Sequence, residues 1–509
     1  MVLGIDLGTS NTVASTMSRD ATPVIIPDAI DKNLQSTPSL ILLESNKAYA
    51  GSFAENLFEL YPDKQLFSFF KRYFGTDRPV CTDSNGKEWF SESLAALLIK
   101  KVMNDADTHL PDGYQKSVIT VPAHYNDIQR KSVLEAARLA NLDLTGILDE
   151  PVAAALFYGS GVQSVSDELT LVYDFGGGTF DLTLITQNKN SLHVIAKDGI
   201  EKLGGKEFDE IIAGHIKEGY KAAFGRLFPE NDVLSNNRLQ KISEQIKIEI
   251  NNTDKPLISK WILLGKNAFE CKIFGEVYRR EALQLIEQTG AAVQRCLRSM
   301  GLQLGDIQKI ILIGGTSSSK IVYDYWLKRT EGTSTKVIYH QPLNSVAKGA
   351  ALYAASLNGN SFSGVGSGGQ VDLKSVSTYN IGLRTSNNRN LDLLIHRNSP
   401  LPITAKRIYK LNPNSSSSLR MEVLQYWEED ETQLLGIIQL DENVAMLGEF
   451  SLEVQIENKA NGTIGLKIRN ANSGRDVRFS FVRNQSQSQY NYLEQKSLVD
   501  NVFLNNIIY

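Results

Sequence analysis

The chain has 509 residues, 42% of them hydrophobic and 22% charged, with a formal net charge of −4. That length exceeds one hydrophobic core and predicts two or more domains, while the charge balance gives no case for a nucleic-acid partner. The apolar runs fall far short of a membrane span, and Met1–Leu7 leads directly into a strand pattern instead of a signal peptide. Cys81, Cys271 and Cys296 stand at unrelated spacings with no CxxC, and six scattered histidines form no HExxH pair. Disulfide scaffolds and zinc sites are thereby disfavoured, and a reducing compartment, the cytoplasm, is expected.

In chain order, Val2–Thr12 (VLGIDLGTSNT) reads as a short apolar strand ending at Asp6. Gly8 follows, with the small polar residues Thr9, Ser10 and Asn11. Val118–Pro122 is a strand closed by a proline, which cannot donate to a ladder. Gln129–Ala140 carries a helical apolar face, and Asp127 is placed to cap it. Glu150 precedes Pro151 and a helical VAAALFYG, where a carboxylate suits the positive end of the helix dipole.

Leu169–Asp181 (LTLVYDFGGGTFD) is the densest stretch. A buried strand ends at Asp174, and Gly176, Gly177 and Gly178 let backbone N–H groups approach an anion with no Cβ in the way. Asp174 and Asp181 flank this cradle, where carboxylates would repel phosphate unless a cation such as water-bridged Mg²⁺ lay between. Taken alone, each glycine turn also reads as a tight hairpin. Two strand–Asp–turn units in one chain predict two related lobes gripping opposite sides of a triphosphate. A third turn, Gly314–Gly315–Thr316, ends the strand at Ile310.

Arg238–Asn252 is helical, with Leu239, Ile242, Ile246 and Ile250 on one face and Glu244 and Lys247 as an exposed pair on the other. Gln341–Ala355 is a small-residue helix. Asn358–Gln370 (NGNSFSGVGSGGQ) has linker composition. The alternating segments beyond it predict an antiparallel β sandwich. From about residue 484 the tail is rich in Asn, Gln and Ser and then mildly apolar, with room for a few helical turns.

The segments GIDLGTSNT, FKRYFG, VITVPAHYNDIQR, LDEPVAAALFYG, YDFGGGTFD, LGGKEFD and ILIGGT follow one another from Gly4 to Thr316. In this order the chain resembles the DnaK-type seventy-kilodalton heat-shock chaperones, within the actin/hexokinase ATPase fold. The resemblance implies an α/β actin-like two-lobed ATPase domain at 1–358, a linker at 359–374, an all-β peptide-binding sandwich at 375–484 and a short polar tail at 485–509. The helical lid that follows this sandwich in the family is expected to be missing.

What the resemblance implies for the site is specific. Asp6 and Asp174 would hold hydrated Mg²⁺, and Lys71 and Glu150 would position the attacking water, with Thr179 beside them. Phosphate and nucleotide contacts would come from Gly8, Thr9, Ser10, Asn11, Gly176, Gly177, Gly178, Asp181, Gly204, Gly205, Gly314, Gly315 and Thr316. Glu244, Lys247 and Asn251 would reach the ribose and adenine, Asn251 standing where the family has serine. Pro122 and Arg130 would relay nucleotide state outward. Leu383, Tyr409 and Leu419 would line the peptide slot, with Ser386 and Asn412 in place of the apolar pair that arches over it.

The departures are equally specific. Ser318 replaces an arginine that stacks on adenine, and Leu343 and Asn344 replace an acidic pair. Gly146 and Asp149 replace residues used in J-domain and interdomain contacts, which leaves a specialised J-domain co-chaperone as the expected partner alongside unfolded or extended polypeptides. The linker residues Val371, Asp372, Leu373 and Lys374 put two charges into a segment the family keeps apolar. The function implied is slow ATP hydrolysis controlling peptide binding and release. The alternatives are a non-catalytic holdase or nucleotide-exchange partner of another such chaperone, and a small-molecule kinase of the same fold.

Overall fold

The structure is a computed structural model, and it describes all residues except 45, 62–63, 160–165, 189–190, 340–341, 358–371, 386–387, 412–419, 428–431, 441–449, 483–489 and 506–509. Leu419, Ser386, Asn412, Val371 and most of the linker therefore lie outside the described residues.

Two sheets repeat one plan. The first orders Leu144–Asp149, Lys116–Val121, Val2–Asp6, Asn11–Met17 and Pro23–Ile26 side by side; the first three run parallel and the last two antiparallel. The second orders Lys336–Ile338, Lys309–Ile313, Glu168–Phe175, Phe180–Gln187 and Ser191–Ile200 with the same pattern of directions. Both sheets are covered on both faces, so their central strands are near-continuous Val/Ile/Leu runs rather than alternating ones. In each sheet the central strand carries an aspartate at its end or one residue before it and turns back through glycine, which is why Asp6 and Asp174 arrive at equivalent places.

Helices Glu150–Gly159 and Ser345–Ser356 cross between the sheets and form the pivot of the two lobes. Their contact depends on small residues. A Cβ on Gly349 would lie 1.7 Å from the Ala153 carbonyl oxygen, and one on Gly4 would lie 2.3 Å from the Ala351 nitrogen. Helix Asp127–Leu139 corrects one sequence expectation: its cap is Asn126, whose side chain accepts from Gln129 N while the Gln129 side chain accepts from Asn126 N. Asp127 is instead buried and accepts from Ile464 N at 2.8 Å, a partner 337 residues away that no local pattern reveals.

The C-terminal sandwich packs a sheet ordered Asn388–Ile395, Asn380–Thr385, Arg420–Tyr426, Gln433–Leu440, Phe479–Val482 against one ordered Ile403–Leu411, Phe450–Asn458, Ile464–Asn470. Its core holds Ile381, Leu383, Val423, Ile438, Leu452 and Ile456. It is seated on the first lobe through Asn126, Asp127 and Arg130, and the segment before it is tied to the second lobe. Asp372–Lys374 adds a parallel strand to the edge Ser191–His193 of the second sheet; Leu373 packs inward while Asp372 and Lys374 face solvent and pair at 2.8 Å.

The tail folds back onto the first lobe. Helix Tyr492–Asn501 buries Gln495, Leu498 and Val499 against helix Ser91–His109. Gln495 bonds to Ser93 Oγ and to the Glu88 carbonyl. Phe503–Leu504 then pairs in parallel with Lys47–Ala48, and the Asn505 amide bonds to both the N–H and the carbonyl of Ala50. No helix among the described residues is long and apolar enough to cross a membrane.

Candidate functional site

The two glycine turns meet across the lobes. A Cβ on Gly177 would lie 2.1 Å from Ser10 Oγ, and one on Gly178 would lie 2.7 Å from Thr9 Cγ2, so glycine is what permits the approach. The Gly176–Thr179 turn closes on itself, Gly176 N donating to Thr179 O. It is braced from behind: Gly205 N donates to Gly176 O, Lys206 N to Gly177 O, and Thr316 Oγ1 to Gly176 O. Bracing of this kind fixes the donors of an anion cradle before any ligand arrives.

Between the turns lies a cavity of about 470 Å³ lined by Asp6, Gly8, Thr9, Ser10 and Asn11 from the first lobe, and by Lys71 and Glu150. The second lobe contributes Asp174, Gly176, Gly177, Thr179, Gly205, Glu244, Lys247, Asn251, Gly314, Gly315 and Thr316. Three residues assigned to nucleotide contact stand outside it. Gly178 and Gly204 pack against each other behind the turn, and Asp181 points away toward His124. A larger crevice of about 780 Å³ runs beneath the linker strand, but its buried charges satisfy one another: Asp149 meets Arg130 at 2.8 Å and Lys197 at 2.6 Å.

Lys71 is buried in the short 3₁₀ turn Phe70–Tyr73 and meets Glu150 Oε1 at 2.8 Å. Burial is the main reason that Asp6 is pushed up to about 7, with Glu150 adding and Lys71 and Thr120 opposing. Asp174 is raised well above the carboxylate range, first by burial and then by Glu150, Asp181 and Asp6. Glu150 is raised by burial despite its lysine. Three crowded buried carboxylates with one lysine among them fit a site completed by positive charge. Among the described residues no cluster of three His, Cys, Asp or Glu side chains could hold a metal ion directly. Asp6 and Asp174 face the same cavity from the two lobes, a pair of carboxylates that would fit a divalent cation held through water.

On the base side, Lys247 pairs with Asp209 at 2.8 Å and leaves Glu244 at the cavity wall, and Asn251 Oδ1 accepts from Tyr278 OH at 3.0 Å. Where the resemblance expects a stacking cation, the Ser318 hydroxyl bonds back to Gly314 O, and the Ser318 carbonyl accepts from Tyr339 OH at 2.7 Å. Leu343 lies nearest to Gly315 instead, and Asn344 reaches Gln35 of the first lobe at 3.0 Å.

The family model described as Hsp70 protein matches residues 2–500. The chain belongs to the Hsp70 family. Hsp70 proteins are ATPases with actin-like lobes and a β sandwich, and they act as ATP-dependent chaperones on unfolded polypeptides together with co-chaperones.

Two residues of this Hsp70 escaped sequence reasoning. Arg72, next to Lys71, reaches across the lobes to Glu207 and to the Gly178 carbonyl. The adjacent cations of FKRYFG were the available signal, since consecutive residues of a 3₁₀ turn point in different directions. His124 fills the buried space behind Asp181. Of the expected peptide-slot residues, Leu383 is 1% exposed within the sandwich core, and Tyr409 is half-buried with its hydroxyl on Asp392 Oδ2 at 2.8 Å.

Proposed function

We propose that this Hsp70 hydrolyses ATP slowly and uses the hydrolysis to control how its β sandwich holds extended apolar peptide segments. The observation that carries the reading is the buried Lys71–Glu150 pair, set in one cavity with Asp6, Asp174 and both glycine turns. Phosphoryl transfer needs mainly positioning and charge neutralisation. In this reading the turn N–H groups hold the phosphates, Glu150 orients a water for in-line attack, and Lys71 stabilises charge as it develops. Mg²⁺ bound through water to Asp6 and Asp174 would neutralise the phosphate oxygens. Arg72 is engaged by Glu207 and Gly178, which leaves Lys71 and Lys247 as the cationic side chains lining the cavity among the described residues. That economy of cations suits a timer rather than a fast enzyme.

The linker is part of the proposal. Among the described linker residues Leu373 docks while Asp372 and Lys374 stay at the rim, and those two charges leave less apolar area to bury than an all-apolar linker would. Peptide therefore stimulates hydrolysis only slightly. Among partners we propose unfolded polypeptides and a J-domain protein adapted to Gly146 and Asp149, and we place the protein in the cytoplasm.

The test is ATP turnover of the purified chain with and without an apolar peptide, alongside Lys71→Ala. The expected result is slow turnover that the variant lowers on the order of 10²–10³-fold with ATP binding retained. Peptide binding without any turnover in the wild type would instead favour a holdase, and a phosphorylated small product would favour a kinase.

A further inference from the structure

The turn between strand Lys116–Val121 and helix Asp127–Leu139 is pressed between the nucleotide cleft and the β sandwich. On one side, both the backbone N–H and the imidazole Nδ1 of His124 bond to a single oxygen, Asp181 Oδ1, at 2.9 and 2.7 Å. On the other side, the His124 carbonyl accepts from Tyr379 OH of the sandwich at 2.6 Å, and the Ala123 carbonyl accepts from Thr378 Oγ1 at 2.9 Å. His124 is 2% exposed and Asp181 1%. The second oxygen of Asp181 and Nε2 of His124 make no hydrogen bond.

The charge state of this pair matters because its surroundings are acidic. Facing His124 are Asp181, Glu201 and Glu150, with the neutral ring of Tyr125 edge-on and the Lys71 ammonium 5.7 Å from that ring's centre. Arg130 meets the same turn but is engaged by Asp149 and by the carbonyls of Ala123, Tyr125 and Asn461. With a protonated imidazole the pair is neutral overall. With a neutral imidazole, Asp181 is a buried negative charge whose donors are one N–H and one uncharged ring nitrogen, an arrangement disfavoured in a low-dielectric site.

We propose that His124 is a positioning residue through which protonation controls the seating of the β sandwich: the imidazolium pins the turn to Asp181 and so holds the carbonyls that Tyr379 and Thr378 grip. Burial works against the charged ring, but Asp181, then Glu201 and Glu150, outweigh it and hold the imidazole above its ordinary range. A histidine raised in the docked state favours docking at low pH, and that advantage is lost as pH rises through the raised value. The inference goes beyond the ATPase reading, and its readout requires no hydrolysis.

Trp427 reports the docked state. It lies 4.7 Å from the Arg397 guanidinium, 5.7 Å from the Tyr379 ring and 6.0 Å from Arg295 of the second lobe. In the full chain without nucleotide, its emission is to be followed from about pH 6 to pH 9, with Trp427→Phe to assign the signal. The wild type is expected to shift with a midpoint above that of free imidazole, the docking constant falling roughly tenfold per unit by which docking itself raises the histidine. His124→Asn keeps an uncharged donor where Nδ1 stands and cannot titrate, so it is expected to behave at every pH as the wild type does above its midpoint, with undocked emission and no midpoint. His124→Phe removes the donor and is expected to show undocked emission throughout. A wild type that shows no shift, or a His124→Asn profile that matches it, overturns the proposal.

Discussion

Arg72 of the first lobe grips Glu207 of the second through two hydrogen bonds of 2.9 Å, while its Nη2 also donates to the Gly178 carbonyl at 2.6 Å. Glu207 in turn accepts from Gly204 N at the start of helix Gly205–Phe224, so the clamp reaches the elements that brace the phosphate turn. Hydrogen bonds to charged groups contribute about 1.5–3 kcal/mol each, and the lobes must part for nucleotide to leave. Arg72→Ala is therefore expected to speed ADP release roughly ten- to a hundredfold. Stopped-flow displacement of a fluorescent ADP measures it, and an unchanged off-rate would show that the clamp does not limit opening.

A second prediction follows from the carboxylates. Asp6 is pushed up to about 7 by burial, so between its ordinary value and that point the folded chain binds more protons than the unfolded one. Stability then falls as pH rises through this window. Without nucleotide or Mg²⁺, the thermal midpoint should drop between pH 5 and pH 8, and Asp6→Asn should flatten the drop. Adding Mg²⁺ with ADP should flatten it in the wild type. Parallel melting curves for the two proteins would discredit the assignment of Asp6.

The lobe pivot makes a third. A Cβ on Gly349 would meet a backbone carbonyl, which cannot rotate aside as a side chain would. Gly→Ala inside a helix ordinarily gains up to about 1 kcal/mol, whereas overpacking a tight contact costs about 1–3 kcal/mol or more. The clash should win. Gly349→Ala is expected to lower the denaturant midpoint, and a rise would mean that the crossing helices separate freely.

The docked tail supplies the fourth. Leu498 lies in the first lobe's core cluster, and truncating such a side chain costs about 2–5 kcal/mol. The helix has ten residues and buries only Gln495, Leu498 and Val499, so the loss should appear as local release rather than global unfolding. Leu498→Ala is expected to raise amide exchange across residues 492–504 and leave the ATPase lobes protected. Uniform exchange throughout the chain would contradict a separable tail.

Much of the site was legible because its determinants are local. Asp6 and Asp174 each end an apolar strand that turns through glycine, and a strand–Asp–Gly pattern announces itself within a dozen residues. The helical pattern alone gives Glu244 and Lys247 only as an exposed pair, because the partner that claims Lys247 is Asp209, on another helix; the resemblance is what assigns them to the nucleotide. Asp127 reads as a helix cap, yet Asn126 beside it takes that place while Asp127 turns to Lys131 at 2.8 Å and to Ile464 of the sandwich. Helix Tyr492–Asn501 read as a polar tail, since only Leu498 and Val499 on one short face reveal that it has somewhere to dock. Partners brought together only by the finished fold leave no periodicity to read.

The linker strand has a consequence for solubility. Ser191–His193 lies at the margin of the second sheet, and Asp372–Lys374 satisfies its backbone groups. If that cover lifts, a row of unpaired N–H and C=O groups faces solvent, and such a row pairs with any extended chain that reaches it. A protein that handles unfolded polypeptides meets extended chains constantly. The solvent-facing charges of Asp372 and Lys374, together with His193 bonded to Asp372, keep this margin unattractive to further strands while it is covered. The linker residues Asp372–Lys374 thus also guard the sheet margin against serving as a template for the aggregates around it.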